Sequence, residues 1–274
     1  MTDKESYFIS LFPDTHIGDD GAVIGDTVYS KDLFCEDIHF KRSWMSLEQI
    51  AYKSMLINIS DAIVMNAKPK YALIGIKIPS DFSKSQLDEL SRGFLKASTE
   101  FNFQIIGGDT VAGDKLDISI TIISHTKNPV TRKELNIGDV VGFTGELGSV
   151  KKELEALFKG EKISPASKFI VPDLKADFFY EASPYFTTAM DISDGLSKDL
   201  SRLSKINGKG FAFFSNIDET VLCSGEEYEV LFSCKEKDCD TISKIAKKNH
   251  TQITFFAKVT KGAYETECRE NHFE

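Results

Sequence analysis

The chain has 274 residues and a mass of 30.6 kDa, and 33 basic against 42 acidic side chains leave a net charge of −9 at pH 7. With 41% hydrophobic and 27% charged residues it has the composition of a folded globular protein long enough to bury a full core. The acidic balance argues against a nucleic-acid groove or a polybasic membrane patch. No apolar run approaches the ~18 residues of a membrane span. Met1-Thr-Asp-Lys-Glu at the start lacks the basic and apolar regions of a secretory leader, so a cytoplasmic protein is expected. The five cysteines contain no CxxC pair and read as reduced thiols.

In chain order, Thr27–Leu33 reads as a strand. Ser46 and Gln49 form a capping box that opens a long helix to about Asn66. Tyr71–Ile78 alternates as a strand does, and Ser83 with Gln86 opens a second helix. A short strand over Gln104–Ile106 ends in Gly107-Gly108-Asp109, and Asp117–Ser124 alternates again. After a linker at Lys127–Arg132 come a strand (Asp139–Thr144), a helix (Ser149–Phe158), a loop (Lys162–Pro172) and a strand over Thr187–Met190. That last strand leads into Asp191-Ile-Ser-Asp-Gly195 and a helix. Strands at Tyr228–Ser233 and Gln252–Ala257 flank a Lys-rich helix at Cys239–Lys248, and the Phe178-Phe179 and Phe213-Phe214 pairs read as core. The expectation is two α/β domains, residues 1–127 and 128–274.

Acidic residues carry the functional signal. They fall at strand ends or inside an apolar helix: Asp19-Asp20, Asp32 with Asp37 and His39 after it, Asp61, Asp109, and Asp191 with Asp194. Taken singly each is ordinary turn chemistry, or, for Ser193 and Asp194, a helix cap. Asn58 and Asp61 differ, because the helix around them is apolar nearly all round and predicts a buried carboxylate. Such a group needs a partner, and no basic residue lies between Lys53 and Lys68. Converging carboxylates without cations repel one another, and a divalent ion resolves that conflict. Oxygen ligands without a Cys or His cluster point to Mg²⁺, Mn²⁺ or Ca²⁺, and Mg²⁺ commonly accompanies substrate phosphates. Gly108-Asp-Thr-Val-Ala-Gly113-Asp114-Lys115 misses the P-loop, with Asp114 where the Lys belongs, and no GxGxxG or GxSxG element is present.

The strings Ile17-Gly-Asp-Asp20, Ser30-Lys-Asp32, Ile38-His39-Phe40, Asn58-Ile-Ser-Asp61, Ile106-Gly-Gly-Asp-Thr110, Asp191-Ile-Ser-Asp-Gly195 and Ser224-Gly-Glu-Glu-Tyr-Glu229, in this order, resemble the thiamine-monophosphate kinase family of the aminoimidazole ribonucleotide synthetase-like superfamily. The resemblance implies an α/β (α+β) two-domain fold whose N-terminal domains pair in a homodimer. It also implies ATP-dependent, Mg²⁺-assisted phosphorylation of thiamine monophosphate to the diphosphate. Carried over residue by residue, it makes Asp20, Ser30, Asp32, Asp61, Asp109, Asp191 and Asp194 metal contacts, with Asp191 and Asp194 at the chemistry. Gly108, Asp109, Arg132 and Ser193 become ATP contacts, and His39 and Glu226 contacts to thiamine monophosphate. Three positions depart from the family pattern: Lys31, Glu227, and Glu267 where an aromatic stacks on the substrate, with Tyr264 or Phe273 as substitutes. The alternatives are another ATP-using member of the superfamily and an inactive nucleotide-binding dimer.

Overall fold

The computed structural model describes residues 4–12, 16–266 and 268; Glu267 and Phe273 lie outside the described residues. After a short helix α1 (Lys4–Ser10), strands β1 (Ala22–Ile24), β2 (Thr27–Cys35), β3 (Lys68–Pro79), β4 (Gln104–Gly113) and β5 (Asp117–His125) form a sheet in the order β1-β2-β5-β3-β4. Its packed face is covered by α2 (Leu47–Val64) and α3 (Lys84–Glu100), and α3 is the crossover that makes β3 and β4 parallel. The other half contains β6 (Val140–Thr144), α4 (Ser149–Phe158), α5 (Ala176–Ala182), β7 (Phe186–Asp191), α6 (Leu196–Asn207), β8 (Lys209–Phe213), α7 (Glu219–Leu222), β9 (Val230–Cys234), α8 (Cys239–Lys248) and β10 (Ile253–Lys261). Its strands form a second, antiparallel sheet in the order β7-β9-β6-β10-β8.

Helix α2 is the spine between the halves. It touches β2, β5 and α3 on one side and β7 and α5 on the other. One apolar cluster runs from Phe34, Ile50 and Met55 to Phe169, Phe178 and Phe232, which explains why α2 has no polar stripe. The Ser46–Gln49 capping box starts it, and Ser83–Gln86 starts α3. Within α2 all but Glu48, Gln49 and Asp61 are buried. Asp61 keeps partial exposure at the last turn of α2, while its carboxyl is deep enough for burial to dominate its electrostatics, as expected.

Strand β4 does not stop at Ile106 but continues through Gly107-Gly108-Asp109. Gly108 permits this: its φ is +151°, and a Cβ there would stand 1.8 Å from the Ile74 carbonyl oxygen on β3. Helix α6 is not capped by Ser193 or Asp194; its N-cap is Gly195, with no side-chain cap. Cys223 and Cys268 form a disulfide while Cys35, Cys234 and Cys239 remain thiols, so the reading of all five as reduced is corrected. Their Cα atoms lie 5.6 Å apart across 45 residues of chain, a proximity that spacing alone does not reveal. Phe178 and Phe179 are core, but Phe214 is exposed. Among the described residues no helix is long and apolar enough to cross a membrane.

Candidate active site

Four elements deliver carboxylates to one cleft: Asp20 from the turn before β1, Asp32 from β2, Asp61 from the last turn of α2, and Asp191 from the end of β7. Oxygens of Asp20, Asp61 and Asp191 all lie within 4.8 Å of one another. The scaffold beneath them is hydrogen-bonded. Ser30 Oγ donates to the Asn58 carbonyl (3.1 Å), the Asp32 N–H to Asn58 Oδ1 (2.9 Å), and Ser60 Oγ to Asp191 Oδ2 (2.8 Å). Asn58 thus fastens β2 to α2, and Ser60 fastens α2 to β7.

The electrostatics are unbalanced. Burial and then the facing carboxylates push Asp61 and Asp191 well above the usual range, and burial with Asp20 and Glu226 pushes Asp32 up to about 6. Asp61 also sits at the C-terminal, electronegative end of its helix. Arg132, brought from far along the chain, grips Asp20 through Nε (3.1 Å) and Nη2, while its N–H donates to Asp19. Burial opposes its charge, but Asp20 holds the guanidinium above its ordinary value. The remaining negative charge, the all-oxygen donor set and three donor oxygens within 4.8 Å of one another fit a hard divalent cation.

Asp194 is not part of that group. Arg202 on α6 binds it at 2.6 Å and reaches buried Asp199 at 3.1 Å. Ser193 lies in the turn before α6, and its carbonyl accepts the Glu226 N–H at 2.7 Å. Beyond the acids, the Cys35 N–H donates to His39 Nδ1 (2.9 Å), which leaves the ring proton of the neutral tautomer on Nε2. Glu226 feels His39 and receives Lys53 Nζ at 2.9 Å and the Tyr228 hydroxyl at 3.1 Å.

Gly108 and Asp109 stand apart, exposed on β4. Asp109 faces Gly75, which faces Ser119, which faces Leu33. Three strand spacings, about 14 Å, therefore separate it from the level of Asp32. Two departures from the family pattern leave the cleft alone. Lys31 points to the opposite face of β2 and contacts Ser119, and Glu227 turns away to the start of α4, meeting the N–H of Gly148 (2.7 Å) and Lys168 (3.0 Å). Tyr264 packs on Phe211 and Phe213 with its hydroxyl on Ser197, so it is held within the C-terminal half.

Residues 18–125 match the family described as AIR synthase related protein, N-terminal domain. A thiamine-monophosphate kinase from Nitrosopumilus maritimus is 34% identical over 237 residues, covering 80% of this chain and 76% of that protein. The chain belongs to the thiamine-monophosphate kinase family. A family member from Aquifex aeolicus is 28% identical over 245 residues, covering 79% and 80%. A solved structure of a ThiL protein complexed with AMPPCP and TMP superposes with a TM-score of 0.86 at 23% identity, over 100% of this chain and 99% of that one. The fold is thus the α/β fold of these kinases.

Sequence reasoning missed Lys53, Arg202 and Asp199. Lys53 carried the available signal, since a lysine inside an apolar helix is anomalous in itself. The other two lie on an amphipathic helix where charges are ordinary.

Proposed function

We propose that this chain transfers the γ-phosphoryl group of ATP to thiamine monophosphate, giving ADP and thiamine diphosphate. Family membership supports the reaction, and the observation that carries the site is the Asp20–Asp61–Asp191 cluster, beside which Arg132 is the compensating cation. Its oxygen donors suit Mg²⁺, which when bound screens phosphate charge and aligns in-line transfer. The attacking phosphate oxygen is already ionised at neutral pH, so no side chain must remove a proton. The protein's task is to bring two anions together and exclude wrong geometries. Asp20, Asp61 and Asp191, with Ser30 and Asp32 beside them, would hold the metal, and Asp194 is paired with Arg202. Arg132 and the N–H groups at the start of α6, by Ser193, face phosphate. His39 Nε2–H donates to thiamine monophosphate and Glu226 takes its cationic part.

The exposed β4 edge and the apolar outer face of the first sheet, with Tyr29, Leu33, Tyr71, Leu73, Ile106 and Val111 exposed, support pairing of residues 1–127 with a second copy, residues 128–274 lying beside each. In that homodimer Gly108 and Asp109 come to the partner's cleft.

Purified protein with ATP, Mg²⁺ and thiamine monophosphate should form thiamine diphosphate and ADP in equal amounts, and EDTA should stop it. ADP without thiamine diphosphate would point to another reaction of the superfamily. ATP binding with no turnover would leave an inactive nucleotide-binding dimer.

A further inference from the structure

Lys53 lies midway along the most buried helix and is itself fully buried. Phosphoryl transfer as proposed above does not use it. Its Nζ stands 2.9 Å from Glu226 Oε2, 3.8 Å from the centre of the Phe169 ring and 5.6 Å from that of Phe34. Phe34 in turn stacks on His39 with 5.7 Å between rings. Lys53 therefore joins, from beneath, the two side chains read above as contacts to thiamine monophosphate, one from each half of the molecule.

Packing alone is a poor reason for this residue, because an apolar side chain of similar size would fill the space without a desolvated charge. The loop it grips is also strained. Glu226 and Tyr228 have φ of +59° and +50°, in the left-handed region that L-residues avoid. They are held there by N–H bonds to the Ser193 and Ile192 carbonyls, 2.7 and 2.9 Å. Such strain persists only where the surroundings over-determine it, and it gathers at ligand clamps. The Glu226 side chain is one-fifth exposed while the Lys53 ammonium is enclosed; Oε2 meets Lys53 and Oε1 accepts the Tyr228 hydroxyl, so the carboxylate is fixed from within the protein at both oxygens.

We propose that Lys53 is a positioning residue for the thiamine monophosphate subsite, holding Glu226 ionised and fixed in place to receive the cationic part of that substrate. The inference rests on the reading of Glu226 given above. Burial favours the neutral acid; Lys53, then His39 and the Tyr228 hydroxyl, reverse this and draw the Glu226 carboxyl below its usual range, while Asp32 on β2 is the facing anion.

The test is Lys53→Met in the full-length protein. The KM for thiamine monophosphate should rise about tenfold or more, as befits a lost charge-assisted contact, with kcat and the KM for ATP little changed. In the pH profile of kcat/KM for thiamine monophosphate the acidic limb should move to higher pH, since Glu226 then protonates more easily. Lys53→Arg, which keeps the charge, should restore the wild-type limb. A KM rise in both variants with an unmoved pH profile would reduce Lys53 to packing and overturn the proposal. Should Lys53→Met fail to fold, Glu226→Gln carries the test: an unchanged KM for thiamine monophosphate overturns it too. Wild-type protein that makes no thiamine diphosphate overturns the functional reading itself, whereas an active wild type with unmoved variant profiles overturns only the role of Lys53.

Discussion

Asp61 is the residue on which the metal reading turns. It ends an apolar helix, faces Asp32, Asp20 and Asp191, and lies far above the usual carboxylate range through burial and those neighbours. Asp61→Asn should lower Mg²⁺-dependent turnover by about 10²-fold or more, while melting in EDTA shows a fold at least as stable as the wild type, because a repelled charge is gone. Full activity in the variant would remove Asp61 from the site. Asp199 gives a second, separable prediction. Burial pushes its carboxyl up to about 7 against the pull of Arg202. Its native pKa thus exceeds the unfolded value, so between about pH 4 and 7 the folded state holds the extra proton and stability falls as pH rises through that window. Asp199→Asn, melted in EDTA, should gain about 1 kcal/mol or more at pH 8 and almost nothing at pH 4. A gain independent of pH would show that Asp199 is not strained by its charge. The carboxylates were legible in the sequence because acids at strand ends and in an apolar helix are out of place. Their cationic partners were not: Arg132 reaches Asp20, and Lys53 reaches Glu226, only through the tertiary fold.

Elements with local start signals read correctly. Both capping boxes form and both helices begin there, and β5 alternates buried and half-buried residues along its length. Elements without such signals were missed or shortened. Helix α5 has Lys175 as its N-cap, with no side-chain cap bond, β8 is an edge strand, and β4 crosses two glycines that look like a turn until β3 is beside them. Helix α4 shows how a distant residue can stand in for a local signal. Its N-cap is Gly148, which has no side chain to offer. Glu227, from the loop after α7, accepts the Gly148 and Val150 N–H groups at 2.7 and 3.3 Å and the Ser224 hydroxyl. One methylene fewer cannot reach both these donors and Lys168. Glu227→Asp should therefore cost about 1–2 kcal/mol, seen as a melting temperature lower by about 2–8 °C. The KM for thiamine monophosphate should stay unchanged, since Glu226 and not Glu227 faces the cleft. A KM rise without loss of stability would place Glu227 in the site instead.

At the scale of the whole molecule, the chain holds an acidic cluster suited to a metal and, three strands away, an exposed Gly108–Asp109 segment on an open sheet edge. A sequence lists these motifs as equals, because chain order says nothing about which copy of a two-fold assembly delivers each. If the partner's β4 supplies Asp109 to the cleft that holds Asp61, each site takes one residue from either chain, and two inactive variants should rescue each other. Asp61→Asn and Asp109→Asn homodimers would each be inactive. When the two are unfolded together and refolded at equal amounts, about half of the dimers are mixed. Each mixed dimer has one site with both substitutions and one site with neither, so the sample should recover about one quarter of wild-type activity. If Asp109 instead serves the cleft of its own chain, every site in the mixture carries a substitution and no activity returns. Ile106→Lys, on the same exposed strand, provides the control on assembly. It should shift the protein from a mass near 61 kDa, twice the 30.6 kDa of one chain, to that of a single chain in light scattering, and abolish turnover with it.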